Sequence, residues 1–139
     1  MECTVRWHGE GMAFIAETES HHLVAMDGAP EGGGRNLAPR PMELVLAGTG
    51  GCTAYDVVLI LKRSRQEITS CELKLSAERA NTDPKVFTKI QMHFIVHGTN
   101  LNPSLVDNAV RLSREKYCSA SKMLEKTAAI TADFEIVET

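Results

Sequence analysis

The stretch ELVLAGTGGCTAYDVVLIL, Glu43 to Leu61, decides the fold. It is an apolar run with one cysteine, Cys52, directly behind Gly50 and Gly51. Pro41 just before it suits a first helical turn, where the N–H it lacks would be unpaired anyway. The spacing predicts one helix from Pro41 to about Arg65. Each glycine inside a helix costs about 1 kcal/mol relative to alanine, so close approach by a neighbouring element is expected to compensate. The 18 residues from Leu44 to Leu61 also meet the length of a membrane span. Glycines, threonines, Tyr55 and Asp56 interrupt the run, and nothing else in the chain resembles a span. A helix covered by protein in a soluble chain is therefore the expectation, with no membrane partner. Apolar nearly all round, it needs cover on several faces, and one small sheet covers one. A second copy covering the rest predicts a homodimer.

Upstream, Cys3, Val5 and Trp7 alternate with Glu2, Thr4 and Arg6, and Met12, Phe14 and Ala16 alternate again after the HGEG turn. A third short strand is expected around His22 to Met26. The segment DGAPEGGGRNLAPRP, Asp27 to Pro41, reads as a loop, and at 15 residues it is long enough to suspect a function. Downstream, Cys71, Leu73, Leu75 and Ala77 share one face of a strand, and Ile90, Met92, Phe94 and Val96 share one face of the next. This predicts an antiparallel hairpin with one face buried, and Cys71 as inert packing on it. Asn102 caps a helix with Pro103 in its first turn and a stripe of Leu105, Val106, Ala109, Val110 and Leu112. Helix is expected to continue past Cys118 to about Lys126, and Ile130 to Val137 to close the chain as a strand. The order βββ-α-ββ-α-β gives the class α+β, with largely antiparallel pairing, as one domain over residues 1–139.

The 139 residues, 43% hydrophobic and 24% charged, are those of one globular domain. A net charge of −3 offers no basic field for nucleic acid, and Lys62, Arg63 and Arg65 read as a solvated helix end. The N-terminus lacks a basic start followed by an apolar stretch, so no signal peptide is visible and a reducing cytoplasm is expected. There the cysteines at 3, 52, 71 and 118 need not pair. They show no CxxC and no matching Cys/His spacing, which argues against a structural zinc, and the histidines are read as surface residues.

Taken alone, Cys52 is either a small buried hydrophobe or a reactive thiol. The reactive species is the thiolate, which apolar burial disfavours, so the second reading needs a nearby cation. Arg35 and Arg40 stand in the preceding loop and could supply it while holding a substrate oxygen, or both are solvated loop charges. Glu43 complements the helix dipole and could also hold an arginine. Asp56, four residues after Cys52 on the same face, is expected to meet a cation or water. Cys118, 66 residues beyond Cys52, is either its partner or an unrelated thiol. A bridge requires Cα atoms within about 7 Å.

Four segments go further: APRPMELVLAGTGGCTAYDVVLILKRSRQ, CELKLSAER, FTKIQMHFIVHGTNL and SREKYCSASKMLEKTAAITADFEIV. With them the chain resembles the OsmC/Ohr family of small thiol-dependent peroxidases, and its YhfA-like branch most. The resemblance covers essentially the whole chain. It implies an intertwined α+β homodimer with the cysteine helix central and the sites where subunits meet. It also implies that Cys52 is the peroxidatic cysteine and Cys118 the resolving one. Cys52 would reduce an organic hydroperoxide or hydrogen peroxide and become a sulfenic acid, Cys118 would close a disulfide, and a lipoyl or thioredoxin-type dithiol would reopen it. No metal, flavin or haem cofactor is implied. The activating glutamate of characterised relatives lies ten residues before the reactive cysteine, which is Met42 here, with Glu43 next to it. The arginine position falls on Gly32, with Arg35 and Arg40 the nearest candidates. These departures keep open a second reading, a non-enzymatic redox-sensing or small-ligand-binding dimer.

Overall fold

A computed structural model describes Met1–Thr139, which form two compact units, Met1–Val45 and Leu46–Thr139. In the first, strands β1 (Cys3–Trp7), β2 (Phe14–Thr18) and β3 (Leu23–Met26) make an antiparallel meander in that order. Ala16 at the centre of β2 is buried, but β1 is exposed along its whole length, so its alternation finds no buried face within one chain. The glycine-rich loop has an internal scaffold. The buried carboxylate of Asp27 accepts hydrogen bonds from the backbone N–H groups of Gly28 (2.7 Å), Arg35 (3.2 Å) and Leu37 (3.1 Å). A 3-10 turn, Pro30–Gly32, lies inside that clasp. Gly34 passes so close to Gly28 that a Cβ there would overlap the Gly28 backbone.

Helix α1 (Pro41–Arg63) buries one stripe, Thr49, Gly50, Thr53, Val57 and Leu61, which is the face expected from a 3.6-residue repeat. It ends two residues before the predicted Arg65, because Arg65 adopts a left-handed φ of 57° and its N–H turns back to the Lys62 carbonyl. The close approach expected at the helix glycines is present only at Gly50, where a Cβ would lie 2.6 Å from Leu75 Cδ1 on the neighbouring strand; a Cβ at Gly48 or Gly51 would meet nothing within 4 Å. By length and composition α1 could cross a membrane, with a mean hydropathy of 1.7 over 18 residues, of which 28% are buried. The core helix of a globular fold passes the same test, and α1 lays its stripe on a sheet.

That sheet consists of β4 (Glu67–Arg79), β5 (Phe87–Thr99) and β6 (Ala129–Glu138), in that order. β4 and β5 pair antiparallel, with Leu75 opposite Met92 and Leu73 opposite Phe94. Ile90, Met92, Phe94 and Val96 are buried with Val57, Leu61, Val106 and Ala109, as the period-2 pattern predicts. One ladder departs from antiparallel pairing. β6 runs parallel to β5, because the chain leaves the far end of β5, crosses back through helical structure and enters β6 beside the start of β5.

The crossover opens with α2 (Pro103–Leu112), where the Asn102 side chain accepts from Ser104 N–H at 2.9 Å as its cap. The continuous helix expected through Cys118 is not there. A π-helical turn, Ser113–Tyr117, follows α2, Cys118 is extended (φ −73°, ψ 103°), and a short helix α3 (Ser119–Leu124) starts after it. The cause is hydrogen bonding to α1. The buried Ser113 hydroxyl reaches the Thr53 carbonyl (3.2 Å) and Asp56 Oδ2 (3.1 Å), while Cys118 N–H closes a wide turn onto the Ser113 carbonyl at 2.8 Å. The result is an α+β fold of two small sheets and a long helix, as the element order indicated.

Candidate functional site

Two pieces of the second unit converge, the middle of α1 and the break before α3. From α1 come Cys52, half-exposed, and Thr53, fully buried. From the break come Cys118, fully buried, and the first residues of α3. The Cys52 side chain lies close enough to the Cys118 thiol to help lower its pKa. Ser119 Oγ stands 3.9 Å from Cys52 Sγ, on the far limit of a bond to sulfur. Cys118 is placed by the end of a helix rather than on one, which corrects the sequence reading. As the residue capping α3, it turns its sulfur inward to accept from Ser121 N–H at 3.4 Å.

The surroundings of Cys118 are polar although dry. Thr53 Oγ1 lies 3.1 Å from its sulfur and 3.3 Å from Ser121 Oγ. Burial pushes the Cys118 thiol up, but bonds from the Ser121 and Thr53 hydroxyls, Ser121 N–H and the Cys52 side chain outweigh it. The thiol is held below its ordinary value. Cys71 behaves oppositely. Burial alone pushes its thiol up, in keeping with packing on the sheet. Cys3 is an exposed thiol on β1.

Of the other residues marked by the sequence, Arg40 and Glu43 are brought together, with Arg40 donating from Nη1 to Glu43 Oε1 at 3.1 Å. Arg35 pairs with Glu10 at 3.2 Å. All three belong to the first unit, while both cysteines belong to the second. Asp56 meets no cation. Its partner is the Ser113 hydroxyl, which explains how a carboxylate near two thiols is satisfied. His93 accepts a role unrelated to the thiols, with Nδ1 2.6 Å from Asp133 on the neighbouring strand. Sequence reasoning missed Thr53 and Ser121. The only signal for the first is Thr49-x-x-x-Thr53, the spacing at which a helical threonine hydroxyl donates to the carbonyl one turn back. That bond is present at 3.0 Å.

A long cysteine-bearing helix on a three-stranded sheet, with a second thiol delivered to it from the crossover, defines a class. The family model described as OsmC-like protein matches residues 32–133, and the chain belongs to that family. Among particular relatives it is similar to Protein YhfA of Escherichia coli K12, with 47% identity over 137 residues, covering 99% of this chain and 98% of that protein. A hypothetical protein from Aquifex aeolicus has a solved structure at TM-score 0.85 and 26% identity, covering 99% and 96% of the two chains. An organic hydroperoxide resistance protein from Legionella pneumophila shares the fold at TM-score 0.70 and 17% identity, covering 96% and 95%.

Proposed function

We propose that this protein is a cysteine-based peroxidase acting on organic hydroperoxides or hydrogen peroxide, an antioxidant oxidoreductase of the cytoplasm. The observation that carries the reading is the proximity of Cys52 and Cys118 across 66 residues of sequence. Half-exposed Cys52 meets the oxidant, and buried Cys118 waits behind it. The Cys52 thiolate attacks the O–O bond. Sulfur gives up two electrons, the alkoxide leaves and takes a proton to become an alcohol, and Cys52 keeps the hydroxyl as a sulfenic acid. Cys118 condenses with it, releasing water and closing a disulfide. A lipoyl or thioredoxin-type dithiol restores both thiols by exchange. The proposal gives Arg35, Arg40 and Glu43 supporting roles in activating the first thiol and placing the substrate.

A homodimer belongs to this reading. The face of α1 away from its buried stripe leaves Tyr55 70% exposed beside Gly51, Ala54, Val58 and Leu59, an apolar surface that a second copy would cover. The two units of the chain then act as one domain. A redox-sensing dimer is the second reading, favoured by Arg35 and Arg40 each already being engaged by a carboxylate. Hydroperoxide consumption with dihydrolipoamide as reductant separates the two. Sustained turnover that disappears in Cys52→Ser supports the peroxidase, and oxidation without turnover supports the sensor.

A further inference from the structure

The Thr53 hydroxyl carries one hydrogen and faces three partners. It donates to the Thr49 carbonyl at 3.0 Å, and an oxygen that can only accept fixes that direction. With its hydrogen on Thr49, Thr53 Oγ1 offers Cys118, 3.1 Å away, an acceptor to which a resting thiol can donate its S–H. Ser121 completes the enclosure, with its hydroxyl 3.3 Å from Thr53 Oγ1 and its N–H 3.4 Å from the sulfur. All of these groups are nearly or fully buried, with Cys118 and Thr53 at 0% and Ser121 at 2% exposure. No water is therefore needed to account for them, and every buried side-chain polar atom of the chain has a partner.

We propose that Thr53 is the positioning residue of the disulfide-forming step, turning its hydroxyl from the Thr49 carbonyl to the Cys118 sulfur as that sulfur loses its proton. The inference rests on the peroxidase reading of Cys52 and Cys118. In the step, the Cys118 sulfur bonds to the Cys52 sulfur, the S–O bond of the Cys52 sulfenic acid breaks, and the departing hydroxyl takes the Cys118 proton and leaves as water. Negative charge grows on Cys118 as its S–H bond weakens. Rotation of a single hydroxyl hydrogen then supplies a donor where an acceptor had been, with no heavy atom moving. The Thr49 carbonyl keeps its backbone bond within α1, so the rotation leaves no orphaned group. Hydrogen bonds to a charged atom are about twice as strong as neutral ones, so the new bond favours the charged transition state over the resting thiol. Ser121 also holds the sulfur, through its N–H. The titratable neighbours are Cys52, close by, and Asp56, which is turned to Ser113.

The test is single-turnover closure of the Cys52–Cys118 bridge after one equivalent of cumene hydroperoxide, followed across pH in the wild type, Thr53→Val, Thr53→Ser and Ser121→Ala. Thr53→Val keeps the shape and removes the hydroxyl. It is expected to slow closure about tenfold and to raise the midpoint of its pH profile by about one unit, the size of one lost bond to a thiolate. Thr53→Ser is expected to close near the wild-type rate, and Ser121→Ala to close slowly. Wild-type closure in Thr53→Val, with an unshifted profile, overturns this inference alone. Should Thr53→Val not fold, Thr53→Ala takes its place, and wild-type closure there overturns it. A wild-type protein that forms no bridge overturns the peroxidase reading and this inference together, and that outcome is visible before any variant is made.

Discussion

Cys118 is completely buried at the start of α3, and its neighbour Cys52, exposed in part on α1, helps lower its pKa. The asymmetry divides the labour. On the peroxidase reading, an oxidant in solution reaches Cys52 first, and Cys118 reacts only with what Cys52 has become. Cys52→Ser is expected to abolish hydroperoxide turnover. Cys118→Ser is expected to complete one round and then accumulate Cys52 sulfenic acid, read by mass spectrometry after dimedone trapping. Equal partial losses in the two variants would contradict the division.

Asp27 is the clasp of the glycine-rich loop. N–H groups of Gly28 and Leu37 hold its carboxyl below the usual aspartate range against the opposing effect of burial, helped by the N–H and charge of Arg35. A depressed native pKa contributes stability that is fully present above the unfolded value and is lost as pH falls through the native one. Asp27→Asn is therefore expected to lower Tm at neutral pH and to lose less on acidification than the wild type does. Thermal melts at pH 7 and at pH 3 to 4 check both, and parallel curves would contradict the role.

His93 runs the other way. The hydrogen bond and charge of Asp133, with a lesser part from Glu135, raise its pKa against desolvation. A raised native value contributes stability present below the unfolded pKa and lost as pH rises through the native one. Replacing Asp133 by Asn is expected to bring the His93 titration, followed by NMR, back down. An unmoved titration would show that the pair on β5 and β6 is not formed.

Gly34 and Gly32 lie two residues apart in one loop and are expected to respond in opposite ways. A methyl at Gly34 overlaps the Gly28 backbone, whereas one at Gly32 meets nothing within 4 Å. Gly34→Ala is expected to lose at least about 1–3 kcal/mol, in the range of overpacked sites, with Gly32→Ala near neutral or slightly stabilising. Urea denaturation of both variants measures the difference, and similar losses would mean that the loop is not packed as described.

Much of this fold was legible because its signals are local. The period-2 face of Ile90, Met92, Phe94 and Val96 and the Asn102-Pro103 cap depend on neighbours in sequence, and both appear where expected. What was not legible depends on distant partners. Ser-Arg-Glu-Lys-Tyr before Cys118 suits a helix well enough, and only Ser113 bonding to α1 opens it into a π turn. The parallel pairing of β6 is set by where the crossover delivers it, and no residue within β6 encodes that. The site divides in the same manner. Cys52 and Cys118 stood out as residue types, whereas Thr53 became visible only when a sulfur lay 3.1 Å from its hydroxyl. Asp27 carried a signal that was passed over: an aspartate opening a Gly/Pro segment commonly binds the backbone just beyond it.

The most direct measurement of the central claim is disulfide mapping by mass spectrometry on fully reduced protein given one equivalent of cumene hydroperoxide. The account predicts rapid loss of two thiols and a single Cys52–Cys118 bridge, with Cys3 and Cys71 still free. Slow oxidation spread over all four cysteines, or rapid oxidation that leaves Cys118 reduced, would contradict it.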